Sequence, residues 1–215
     1  MAERAKSYIP AAGSDWLLPL YDPIAKLMGI EKARRALLDQ VTLRPGSRVL
    51  DMGCGTGSFC IMVKRLHPDL VIVGLDPDPK ALARSRAKAS QATVEIQFDQ
   101  GFSQSLPYGD ATFDYVFSSM MFHHLELNDK EKTLSEVRRV LKPDGLFAMV
   151  DFAEPKSLVG RILTGLFHPE ILKDNSEARI LALIMKAGLV DAKVIGQGKL
   201  SIGRLVYYQG LSRDA

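Results

Sequence analysis

Cysteine is scarce in this chain. Only Cys54 and Cys60 occur among 215 residues, too few for a disulfide framework, and the expectation is a reducing, cytoplasmic compartment. No apolar run approaches the roughly 20 residues needed to span a bilayer. Residues 1–11 lack the long apolar core of a secretory signal. Internal repeats and low-complexity stretches are also missing, which removes solenoids and mainly disordered chains from consideration. The formal net charge of +3 is small, and both signs are scattered rather than clustered. A nucleic-acid partner is therefore not expected. What remains is 47% hydrophobic and 25% charged residues, ordinary for a globular protein. The length suits one α/β domain.

Helical and strand-like patterns alternate, the signature of a parallel sheet covered by helices. Residues 13–29 read as apolar helical turns broken near Pro19 and Pro23, and 30–42 as a charged amphipathic helix. Strands are expected at Arg48–Met52, Val71–Leu75, Val94–Phe98, Phe113–Ser118 and Leu146–Phe152. Two more, Ala192–Gly196 and Leu205–Gly210, are joined by a linker short enough to make them antiparallel. The helices between them are expected at 58–66, Pro79–Lys88, Lys130–Leu141 and Ser176–Ala187, with a helical insert over 155–175. The arrangement predicts one domain over 1–215, with a helical cap at 1–42 and a core at 43–215.

The strongest local signal is Val49-Leu50-Asp51-Met52-Gly53-Cys54-Gly55-Thr56-Gly57. A strand runs into a glycine turn that opens a helix. Glycine permits positive φ and close approach of a ligand to backbone, and a helix N-terminus favours hydrogen-bond acceptors. A dinucleotide fingerprint needs Gly-x-Gly-x-x-Gly, but its third glycine would fall on Ser58. Asp51 also stands ahead of the first glycine, where an anion repels a pyrophosphate and attracts a cation. S-adenosylmethionine (SAM) has an ammonium, a sulfonium and no phosphate. Asp76, ending the second strand, is placed to accept from both hydroxyls of a ribose. A nicotinamide-dependent oxidoreductase and a non-catalytic SAM-binding protein stay open as alternatives at this point.

With these residues in hand, the sequence resembles the class I SAM-dependent methyltransferases, nearest the branch with the ubiquinone and menaquinone methyltransferases. Three segments carry the resemblance: the glycine loop, Leu106-Pro107-Tyr108-Gly109-Asp110-Ala111-Thr112-Phe113-Asp114-Tyr115-Val116, and Glu136-Val137-Arg138-Arg139-Val140-Leu141-Lys142-Pro143-Asp144-Gly145. The resemblance implies a Rossmann-like α/β sandwich whose seven-stranded sheet has the order 3-2-1-4-5-7-6, strand 7 antiparallel. It implies that SAM is the cofactor, released as S-adenosylhomocysteine (SAH). Asp51, Gly53, Cys54, Gly55 and Gly57 would surround its methionine end, Asp76 would hold the ribose and Pro77 would lie against the adenine. Ser118 and Ser119 would lie near the methionyl group, and Tyr21 would meet the carboxylate. The family often places an Asp after the glycine that Gly101 matches; Phe102 stands here instead, leaving its backbone N–H, Asp99 or Gln100 for the adenine.

Methyl transfer from a sulfonium needs no nucleophilic residue of the enzyme, and needs a base only where the acceptor must lose a proton. His123 and His124, after the fourth strand, are the candidates; on extended backbone only one of them would face the pocket. His168 also falls within reach, in the insert. No set of ligands for a metal converges by spacing. Trp16, Tyr21, Phe122, Phe152 and Phe167 suggest a small apolar or aromatic acceptor. The remaining expectations are a monomer or homodimer with no stable membrane insertion, brief membrane contact being allowed by an apolar acceptor.

Overall fold

In the computed structural model, the described residues are 22, 25–153, 175–200 and 203–213. Helix α1 (Ile30–Leu38) precedes β1 (Arg48–Met52), α2 (Ser58–Leu66), β2 (Val71–Asp76), α3 (Pro79–Gln91), β3 (Gln97–Gln100) and β4 (Phe113–Ser119). A short 3-10 turn, Phe122–His124, leads to α4 (Leu127–Val140), β5 (Leu141–Phe152), α5 (Glu177–Lys186), β6 (Leu189–Leu200) and β7 (Gly203–Ser212). The seven strands form one sheet in the order β3-β2-β1-β4-β5-β7-β6. The first five pair in parallel, and β7 runs antiparallel to both neighbours. Fold class and strand order are those read from the sequence.

Alternation along the strands decides which helices each side chain meets. Val49, Tyr115, Phe117, Ala148 and Val150 pack on one face with α1 and α2 residues such as Leu37, Phe59 and Cys60. Leu50, Met52, Val116, Phe147 and Met149 pack on the other with Leu134 and Val137 of α4 and Ile184 of α5. Continuing the alternation to the carboxyl ends puts Asp51 and Ser119 on the α1 face and Ser118 and Asp151 on the α4 face.

Three boundaries differ from the sequence reading, each for a local reason. The third strand starts at Gln97, not Val94, because the exit from α3 uses those residues: Val94 N donates to Ala89 O (3.1 Å) and Thr93 sits at φ 53°. Pro143 to Gly145 do not separate a helix from a strand but lie within β5. There the pairing shifts between Phe113 and Tyr115, and Asp144 adopts φ 59°, a bulge rather than a turn. A Cβ on Gly145 would come within 2.8 Å of Lys142 O, so the bulge excludes a side chain there. The β6–β7 hairpin is also longer than expected, and its register shifts absorb the extra residues. Among the described residues no helix is long and apolar enough to cross a membrane.

Candidate active site

The site lies at the carboxyl ends of the parallel strands, where open α/β sheets bind ligands. Gly53, Gly55 and Gly57 all adopt positive φ (74°, 53° and 74°), as a turn this tight demands. Gly53 N and Cys54 N both donate to Leu75 O, at 2.8 and 3.0 Å, tying the loop to β2. The expectation that the glycines clear space for a ligand needs correction at two of them. A Cβ on Gly53 would meet Met121 Cγ at 2.4 Å, and one on Gly57 would meet Ser85 Cβ at 2.6 Å. Close packing against the protein itself requires those glycines. Cys54 and Cys60 are free and buried; burial, Cys54 and Asp51 hold the Cys60 thiol well above its ordinary range, so it is a neutral thiol.

Two carboxylates flank the loop. Asp51 is 1% exposed. Its Oδ2 accepts from Cys60 Sγ at 3.2 Å, and its Oδ1 has no hydrogen-bond partner. Burial pushes its carboxyl up to about 6, against the pull of Arg34. Asp76 is held by backbone: Gly55 N donates to Oδ2 (2.8 Å) and Asp78 N to Oδ1 (2.9 Å). Each oxygen keeps a lone pair for a further donor, the arrangement a ribose diol requires.

Around the expected adenine position, Gly101 N donates to Asp76 O at 3.2 Å, and Phe102 forms an isolated bridge with Ser105. Asp99 Oδ2 already accepts from Tyr108 Oη (3.0 Å) and Gln97 Nε2 (2.7 Å). Gln100 Nε2 donates to Pro77 O at 3.1 Å. Asp99 Oδ2 and Gln100 Nε2 thus take part in holding the β2–β3 edge.

At the end of β4, Met120 takes φ 56°, an uncommon conformation for a side-chain-bearing residue and a kind that clusters at functional sites. The chain then enters the 3-10 turn, so His123 and His124 are not on extended backbone as expected. Their rings lie 3.9 Å apart, and only His123 is turned inward. His123 Nδ1 is 2.6 Å from Asp151 Oδ1, and His123 N donates to Asp151 Oδ2 at 3.1 Å. Asp151 is 2% exposed. Burial by itself would raise its pKa, but His123, the Phe152 N–H and His124 together outweigh that and lower it. A carboxylate on Nδ1 fixes the imidazole and leaves Nε2 for a proton to be taken. Phe152 stands edge-on to His123, 5.1 Å between centroids. Phe122, expected in the acceptor pocket, instead is fully buried in the core beneath the turn, with Lys130 Nζ 5.7 Å from its ring centre. Trp16, Tyr21, Phe167 and His168 lie outside the described residues.

Asp151 and Arg34 are the functional candidates that sequence reading missed. An aspartate ending an apolar strand was visible as a signal; Arg34 offered none. Asp22, read from the sequence only as the partner of Tyr21 in a Tyr-Asp pair like that of the family's N-terminal cap, accepts from Thr56 Oγ1 (2.6 Å), Ser58 Oγ (3.0 Å) and Lys88 Nζ (2.7 Å), fastening the segment before α1 to the glycine loop. The two motifs beyond the glycine loop turn out to clamp each other. Arg139 bonds Glu136, Asp110, Tyr108 O and Leu106 O, while Glu136 accepts from Leu106 N.

The residues present suit SAM. Asp51 Oδ1 and Ser118 Oγ are buried without partners, and such groups are costly unless a ligand satisfies them. The methyltransferase-domain family profile matches residues 49–145. An uncharacterized methyltransferase of Synechocystis sp. is 32% identical over 179 residues, covering 80% of this chain and 82% of that one. This chain is a class I SAM-dependent methyltransferase. A demethylmenaquinone methyltransferase of Deinococcus radiodurans is 35% identical over 144 residues, covering 66% of this methyltransferase and 59% of that protein. The fold matches a SAM-dependent methyltransferase from Aquifex aeolicus with TM-score 0.69 and 19% identity, covering 93% of this chain and 98% of the other. The oxidoreductase and non-catalytic readings give way to an enzyme that transfers methyl groups.

Proposed function

We propose that this methyltransferase acts on a small, apolar or aromatic acceptor bearing an ionisable hydroxyl, and that His123 removes its proton. The observation carrying this reading is the His123–Asp151 pair, 2.6 Å apart, at the same sheet edge as Asp51 and Asp76. When bound, SAM supplies an electrophilic methyl group. The protein's part is then to orient the acceptor, exclude water and accept the proton. Asp151 is a positioning residue: it holds Nδ1 so that Nε2 faces the acceptor, and it stabilises the imidazolium once the proton arrives. An acceptor oxygen freed of its proton can take the methyl itself or activate a neighbouring ring carbon, so one base serves both outcomes. His124, stacked on His123, is assigned no proton.

For the donor, Asp76 binds the ribose hydroxyls and Asp51 the ammonium. The loop of Gly53, Cys54, Gly55 and Gly57 shapes the pocket, Ser118 and Ser119 lie beside the methionyl end, and Pro77, Gly101 and Phe102 border the adenine. The resemblance to demethylmenaquinone methyltransferases supports a hydroxylated aromatic ring as acceptor.

The test is a panel of phenols, naphthols and reduced quinones incubated with enzyme and methyl-labelled SAM, with parallel panels of amines and thiols. Labelled hydroxyaromatic products are expected, with turnover lost in His123→Ala. For Asp151→Asn, the pH–rate profile should shift, and Asp151→Glu should recover part of the rate. Label appearing only on amines or thiols, with His123→Ala unimpaired, contradicts the reading.

A further inference from the structure

Arg34 is a charged side chain in an apolar setting. It lies on α1 among Ile30, Ala33, Leu37 and Leu38, and is itself only 5% exposed. Its Nε donates to Ser119 Oγ at 3.1 Å. The four N–H groups on its terminal nitrogens have no hydrogen-bond partner among the described residues. A guanidinium is among the costlier groups to bury, and the fork of donors it presents is shaped for a carboxylate.

A buried anion lies on the neighbouring strand: Asp51, on β1 beside the β4 strand that ends in Ser119, keeps Oδ1 without a partner. Arg34 pulls on its carboxyl electrostatically, yet the two share neither an ion pair nor a hydrogen bond. Strand alternation puts Asp51 and Ser119, the residue that anchors Arg34, on the sheet face that α1 covers. One buried cation and one buried anion are thus held near each other, each with bonding capacity to spare. An amino acid matches that pair, because it carries an ammonium and a carboxylate on one carbon.

We propose that Arg34 binds the α-carboxylate of the donor's methionine end while Asp51 takes the α-ammonium, so that the site recognises the donor as a zwitterion. The inference deepens the donor reading and rests on it. Ser119 is then a positioning residue: by accepting from Nε it turns the remaining donors toward the ligand. The geometry has a second consequence. A nucleoside lacking the amino-acid end meets neither charge, so such compounds bind through the nucleoside contacts alone.

The experiment is calorimetric titration of the full chain and of Arg34→Met and Arg34→Lys with three ligands: SAH, its decarboxylated analogue, and 5′-deoxy-5′-methylthioadenosine. The folded chain should bind SAH more tightly than either truncated ligand. In Arg34→Met, SAH affinity should fall on the order of a hundredfold, with little change for the decarboxylated analogue. Arg34→Lys should retain part of the preference. Equal losses for all three ligands would assign Arg34 a structural role, and unchanged SAH affinity with a raised acceptor KM would move it to the acceptor; either result overturns the proposal. If Arg34→Met fails to fold, the Arg34→Lys ratio of SAH to decarboxylated analogue decides in the same way. Failure of the unaltered chain to bind SAH at all would instead remove the donor reading underneath.

Discussion

At the carboxyl end of β2, Asp76 is fastened by the backbone N–H groups of Gly55 and Asp78. At the ends of β4 and β5, His123 is fastened by Asp151, a side chain 28 residues away on a neighbouring strand. The donor side of the sheet is thus organised by short loops whose conformation glycine and the strand–turn–helix geometry set locally. The proposed acceptor side is organised by a pair of side chains that only the folded sheet brings together. The first kind of site is preformed and tolerates little change of backbone. The second can change specificity one side chain at a time.

That contrast is best broken from the acceptor side. His123→Ala should lower turnover by about 10²- to 10⁴-fold while SAH affinity, read by calorimetry, stays unchanged. A matching loss of SAH affinity would show that the two sides are not separable. Asp76→Ala should do the reverse. SAH affinity should fall by about a hundredfold or more, since two ribose hydroxyls lose their acceptor. Retained affinity would contradict the ribose assignment.

The locally built character of the donor side is tested by Gly53→Ala. Positive φ costs about 1–2 kcal/mol for a residue with a Cβ, and overpacking against Met121 adds about 1–3 kcal/mol. Denaturant melts should therefore show a loss of a few kcal/mol with no substrate present. A smaller effect follows from pH. Burial pushes Asp51 up to about 6, so the folded chain holds that proton more tightly than the unfolded chain. The stability this group contributes is full below its ordinary value of 3.8 and is lost as pH rises through about 6. A ligand ammonium needs the ionised form. SAH binding at about pH 5 should therefore release a proton, seen as a dependence of the binding enthalpy on buffer, and release none at about pH 8. Asp51→Asn should abolish the release. Smallest of all, Lys88→Met should cost about 1 kcal/mol or less, because the Lys88–Asp22 pair is partly exposed. A larger loss would mean that the segment before α1 is held to the glycine loop more firmly than a surface pair allows.

Most of the fold was legible before any coordinates. The α/β alternation, the β7 hairpin and the positions of Asp51 and Asp76 followed from alternating patterns and the glycine turn, because those signals are local; the strand order was implied only by the family resemblance. The turn holding His123 and His124 was misread as extended backbone because nothing in Phe122-His123-His124 favours a 3-10 conformation; it is set by the kink at Met120 and by Asp151 receiving His123 N. The Pro143–Gly145 bulge resembled an ordinary helix stop until β4 supplied its pairing partner.

By itself the sequence determined the architecture and the kind of donor, through residues whose effects reach no farther than a strand and its next turn. The tertiary structure decided which histidine is paired with a carboxylate, which aspartate keeps a buried oxygen unpartnered, and that a helix arginine is buried on the sheet face that carries that aspartate. Those are distances between residues far apart in the chain, and such distances exist only after the sheet has formed.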